Sequence, residues 1–142
     1  MIANNIHFKL EIEVEAVGPV NTFGIVVKKI IYPGAYVKNI SLSPMKLWNS
    51  ESNDFYLPDK EFLNSIAYNY NHIVIKSEKL SKIYVASNNE YFTYQDIYDI
   101  VLDFEKKNRI NSTWLGGIDI YHVFFEGLHQ NKDKTFSIFW GS

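Results

Sequence analysis

The chain has no cysteine, a single arginine and no glycine-rich phosphate loop. Without cysteine there is no disulfide framework, no thiolate nucleophile and no cysteine-ligated zinc. Arg109 is the one arginine among 14 cationic side chains, so the planar fork suited to bidentate phosphate and base contacts is nearly absent. The formal net charge is -2, which leaves no basic excess to neutralise phosphates and disfavours nucleic-acid binding. The seven glycines fall in neither the G-x-G-x-x-G nor the G-x-x-x-x-G-K-[ST] spacing, excluding nucleotide binding through those loops. The opening residues lack the basic and apolar regions of a secretory signal, and no apolar run approaches the ~20 residues a spanning helix needs. The expectation is a cytoplasmic protein with neither membrane nor nucleic acid as partner.

What is present is apolar material in quantity. Of the 142 residues, 46% are hydrophobic and 16% aromatic, with ten Tyr, ten Phe and three Trp. That suffices for one core without metal or disulfide, and no repeat or linker divides the chain, so residues 1–142 read as a single α+β domain.

From Ile6 to Glu15 apolar and polar residues alternate strictly, the pattern of a half-buried strand. After Gly18-Pro19, Thr22 to Tyr32 reads as a second strand, Tyr32-Pro33-Gly34-Ala35 as a type II turn and Tyr36 to Leu42 as a third strand. Together these predict an N-terminal antiparallel meander. Ser43 to Leu57 shows no period and reads as a loop with at most one helical turn around Met45 to Trp48. Phe62, Leu63, Ile66, Ala67 and Tyr70 follow Pro58-Asp59 at helical spacing, predicting a helix from about Asp59 to Tyr70. Ile73 to Ile75 and Lys82 to Ala86 are short β-like runs. Thr93-x-x-Asp96 is a near capping box ahead of Ile97, Ile100, Val101 and Phe104 on one face, with Lys106, Lys107 and Arg109 beyond. This predicts a second helix from Tyr94 to about Lys107. Ile118 to Leu128 and Thr135 to Trp140 read as strands of a C-terminal hairpin. The expected architecture is an antiparallel sheet, meander plus hairpin, packed on two main helices.

Chemistry-bearing residues are scarce. Asp119, His122 and Glu126 are acid, base and ligand types. On one continuous strand, however, Asp119 and His122 point to opposite faces, and His122 and Glu126 lie roughly 13 Å apart. A site there would need His7, His72 or His129 from elsewhere. Glu11, Glu13 and Glu15 share one strand face about 7 Å apart, which reads as a solvated face. From Ile83 to Glu105 the chain holds five carboxylates and no Lys or Arg. Asp96, Asp99 and Asp103 line one side of the second helix, and with Glu90 they are the candidate contacts for a basic protein partner. Trp48, Trp114 and Trp140 are of the residue type that anchors interfaces, although each also suits a core. No catalytic, cofactor-binding or metal residues are assigned.

The segment Gly117 to Leu128 (GIDIYHVFFEGL), the ending Phe139 to Ser142 (FWGS) and the strand pattern around Phe23-Gly24 resemble in style the immunity proteins of bacterial polymorphic-toxin and contact-dependent growth inhibition systems. The resemblance implies a protein that binds a cognate toxin domain in the producing cell and blocks it. Two other classes stay open: a small-molecule-binding or hydrolytic α+β domain whose pocket is lined by Tyr and Trp and uses His122 or Asp119, and a self-associating structural protein.

Overall fold

The computed structural model describes residues 8–23, 28–31, 34–111, 113–114 and 117–142. It is an α+β protein built mainly from short antiparallel strands around one long helix. The first strands are β1 (Phe8–Lys9), β2 (Ile12–Val17), β3 (Val20–Phe23), β4 (Lys28–Ile31) and β5 (Tyr36–Leu42). The alternation read in the sequence is kept where described: Leu10 and Ile12 are buried while Glu13 and Glu15 face solvent. Ile6 and His7 lie outside the described residues.

The consecutive meander does not form. Instead β2 pairs with β5, and β3 and β4 form their own hairpin in another sheet. The run from Thr22 is therefore two strands rather than one. Of the expected type II turn, Tyr32 and Pro33 lie outside the described residues, while Gly34 has φ 93, a value that glycine alone adopts freely. On the paired face Glu15 meets Lys38 at 3.3 Å and Glu13 accepts from the Ser41 hydroxyl at 3.4 Å, so β5 supplies partners for the acidic face.

Residues 43–57 form no helical turn. They make a hairpin of β6 (Lys46–Asn49) and β7 (Asp54–Tyr56), with β1 paired on the outer side of β6. The reversal is built by Asn49, whose Oδ1 accepts the N–H groups of Glu51 and Ser52, and by Asn53 at φ 55. Asparagine is one of the few side chains that tolerates this conformation.

The first expected helix is also shorter than predicted. Asp59 caps α1 (Lys60–Leu63), its Oδ1 accepting from Phe62 N at 2.9 Å, but Ile66–Tyr68 becomes strand β8. Ile66 and Tyr68 recur at a period of two as well as fitting a helix, and pairing with Phe92 and Thr93 of β11 (Phe92–Thr93) selects the strand.

The main sheet has the order β10-β9-β15-β14, from β9 (His72–Lys76), β10 (Ser81–Val85), β14 (Phe124–Gln130) and β15 (Phe136–Gly141). It is two antiparallel hairpins joined by a parallel seam that aligns Phe136 with Ile75. Against it lies α2 (Tyr94–Asn108), begun by the capping box in which Thr93 and Asp96 exchange side-chain and backbone hydrogen bonds. Ile97, Ile100, Val101 and Phe104 of α2 pack with Ile73, Ile75, Leu128, Phe136 and Leu10 to form the core. The remaining sheet has the order β12-β13-β4-β3, with β12 (Thr113–Trp114) and β13 (Gly117–Asp119) following α2. Among the described residues no helix is long and apolar enough to cross a membrane.

Candidate functional site

The polar feature that departs most from a solvated surface lies at the end of α2. Glu105 follows Phe104 on the buried face of the helix, and Arg109 stands one turn further on; they are 2% and 3% exposed. Glu105 Oε2 lies 3.4 Å from Arg109 Nε, and Trp140 Nε1 donates to Glu105 Oε1 at 3.2 Å. The guanidinium sits 5.4 Å from the Trp140 ring centroid, in cation–π range. On the other side Arg109 Nη1 reaches Asp119 Oδ2 at 4.0 Å. Burial pushes the Glu105 carboxyl up from its ordinary value, and the Arg109 charge opposes that rise.

Asp119 connects this cluster to His122. The strand expected from Ile118 to Leu128 is broken: β13 ends at Asp119, the chain turns, and β14 begins at Phe124. Asp119 Oδ1 accepts the backbone N–H groups of Tyr121 at 2.8 Å and His122 at 3.2 Å. Its Oδ2 lies 2.5 Å from His122 Nδ1. The two side chains that a continuous strand would place on opposite faces are therefore in direct contact. Because an ionised carboxylate only accepts, Nδ1 carries the proton in this pair. Glu126 belongs to β14 instead, its carboxylate lying over Gly141. His129 stacks on Phe139, His72 Nδ1 meets Asn71 Oδ1 at 2.9 Å, and His7 lies outside the described residues. Among the described residues no group of three or more His, Asp or Glu side chains could hold a metal ion.

The acidic residues of α2 are separated by their partners. Asp96 is committed to the capping box. Asp99 accepts from Gln95 Nε2 at 3.0 Å on an exposed surface. Asp103 Oδ2 accepts from Lys82 Nζ at 2.5 Å and from the Tyr84 hydroxyl at 2.7 Å. Those two hydrogen bonds hold the Asp103 carboxyl below the usual carboxylate range, while burial and then Asp103 push the Tyr84 phenol up. Glu90 is exposed in the loop before β11. A window free of Lys in sequence is thus partly neutralised by Lys82, delivered from β10.

The tryptophans differ in role. Trp140 is half-buried in the Glu105 cluster, and the Trp114 side chain lies outside the described residues. Trp48 is displayed on the β6–β7 hairpin beside Phe55, ring centroids 5.1 Å apart and edge to face, with Lys9 Nζ 5.5 Å from the Phe55 ring. Trp48, Phe55, Tyr56 and Leu57 are 37%, 40%, 48% and 64% exposed. Sequence reasoning missed this patch because it read the segment as a loop; the apolar pairs Leu47-Trp48 and Phe55-Tyr56 on either side of the Ser/Asn-containing turn were the signal.

The chain matches no known protein family, no curated protein and no solved structure.

Proposed function

We propose that this chain is a protein-binding inhibitor of the immunity type, which holds a cognate toxin domain and blocks its action. The observation that supports the reading is the β6–β7 hairpin, where Trp48 and Phe55 pair edge to face on a short three-stranded sheet and Tyr56 and Leu57, next along the chain, are also in solvent. Aromatic side chains displayed together are the residue type that carries binding energy at protein interfaces, and their outward display has no use in the core. Of Glu90, Asp96, Asp99 and Asp103, Glu90 and Asp99 are the exposed ones and serve as secondary contacts for a basic surface, where charge complementarity raises the association rate.

The test is co-expression with the product of the adjacent upstream reading frame. The expected outcome is a stoichiometric complex and relief of that product's toxicity. In the complex, Trp48→Ala and Phe55→Ala each weaken binding by roughly tenfold or more, while Glu90→Lys with Asp99→Lys slows association most at low salt. Absence of both complex and rescue overturns the reading.

The Asp119–His122 pair favours one second reading, a hydrolytic domain. A carboxylate that holds Nδ1–H orients an imidazole for general-base work through Nε2. Hydrolysis of a generic ester or phosphodiester that is lost in His122→Asn and retained in Trp48→Ala would support it over the first.

A further inference from the structure

A cleft of about 690 Å³ opens where β8, the start of β9 and the turn before β15 converge. Its size is in the range of small-molecule sites. Tyr68 ends β8, Tyr70 stands two residues on, and Phe136 begins β15; Tyr68 lies 5.0 Å from Tyr70 and 5.5 Å from Phe136 between ring centroids. The parallel seam that aligns Phe136 with Ile75 carries the 131–135 turn alongside His72 and Ile73. One wall is therefore aromatic, and Tyr70, 64% exposed, offers an open ring to solvent.

The polar lining has one sign of charge. Lys134 is the one Lys or Arg in the lining among the described residues, and no carboxylate lines the cleft. Its neighbour Asp133 is turned away: Asp133 Oδ1 accepts from Thr135 N and Oγ1, and Oδ2 meets Lys76 Nζ at 3.2 Å. Those bonds, Thr135 foremost, hold Asp133 down to about 2. The backbone at Lys134 has φ 69, so the tight turn fixes where its side chain starts. Also in the lining, His72 has Nδ1 against Asn71 Oδ1 at 2.9 Å, and the Gln130 amide offers both a donor and an acceptor.

From the aromatic wall, the amide and imidazole edges and the single uncompensated cation, we propose that this cleft binds a nucleoside monophosphate. The base stacks on Tyr70 and Tyr68, its edge hydrogen-bonds to Gln130 and His72, and the phosphate lies against Lys134. Base–aromatic stacking tolerates any base, and a lysine ammonium is a point-charge partner for a phosphate. The missing glycine-rich loop is no obstacle, because side chains rather than a loop backbone form the site. The proposal is independent of both readings of function given above.

The test is titration of the intact chain with AMP, GMP, CMP and UMP, followed by backbone amide chemical shifts. Saturable shifts confined to residues 67–74 and 130–136 are expected with at least one of them. The corresponding nucleoside should bind about tenfold more weakly, since it lacks the charged partner. Lys134→Gln should lower monophosphate affinity by about the same factor and leave nucleoside affinity unchanged, and Tyr70→Ala should weaken both. Both positions are exposed, and unchanged shifts elsewhere report an intact fold. Absence of saturable shifts in the cleft with all four overturns the proposal, as does a Lys134→Gln variant of undiminished affinity. A ten-nucleotide single strand binding far more tightly than the mononucleotide would replace it with a nucleic-acid surface.

Discussion

At the scale of single residues, the decisive group is Arg109. It is held between Glu105 and Asp119 with 3% of its surface exposed, and removing one partner of a buried ion pair leaves the other charge uncompensated. Arg109→Met should lower unfolding free energy by about 3 kcal/mol in urea titrations. Adding Glu105→Gln, which keeps an acceptor for Trp140, should restore most of that loss; simple additivity of the two changes would show that the pair is not coupled. The pH response follows from the raised Glu105 carboxyl. The folded chain keeps that proton to higher pH than the unfolded chain, so this group's stabilising effect is full below the ordinary carboxylate value. It is lost as pH rises through the raised folded value. Stability should therefore fall more steeply with rising pH in Arg109→Met, whereas Glu105→Gln removes that component. This cluster was poorly legible in sequence, because only Glu105 and Arg109 are local, an i,i+4 pair at the end of α2, while Asp119 and Trp140 come from distant elements. The Asp119–His122 contact was hidden for a local reason: the β-prone run across it masked the turn that Asp119 itself builds by accepting two backbone N–H groups.

At the scale of elements, legibility followed how far each element depends on its own residues. The capping box of α2 was readable since both of its members lie within four residues, and the helix begins at the predicted Tyr94. Thr93→Ala should cost about 1 kcal/mol, measured by chemical denaturation, through loss of the hydroxyl that accepts from Asp96 N. The short α1 was not readable, because β8 is selected by its pairing with β11 and by the Phe62–Tyr94 ring stack at 4.5 Å, both distant in sequence. The β6–β7 hairpin was obscured by a four-residue turn that lacks glycine and relies on Asn49 and Asn53. The acidic residues of α2 show the same dependence on distant partners: their spacing was legible, but Lys82 on Asp103 was not.

At the scale of the molecule, β10 forms one edge of the main sheet. Among the described residues β10 has a neighbour only in β9, and its Ile83 and Val85 are each 65% exposed. An exposed apolar edge strand is a template for further pairing. Ile83→Lys should reduce self-association seen by light scattering at high protein concentration while leaving the melting temperature nearly unchanged; equal scattering would show that the edge is otherwise protected. The α+β class was legible from composition and pattern, whereas the pairing of β2 with β5 around an intervening hairpin was not, since alternation reports which face of a strand is buried and not which strand lies beside it. The parallel seam between β9 and β15 also bears on synthesis. Leu128 and Phe136 fill the core against α2 and β9, so a growing chain that stops short of β15 carries a finished helix and an earlier hairpin with their apolar faces open to water. Until β14 and β15 emerge from the ribosome, the nascent chain presents apolar surface of the kind that aggregates, and the length of that exposure is set by how quickly translation delivers them.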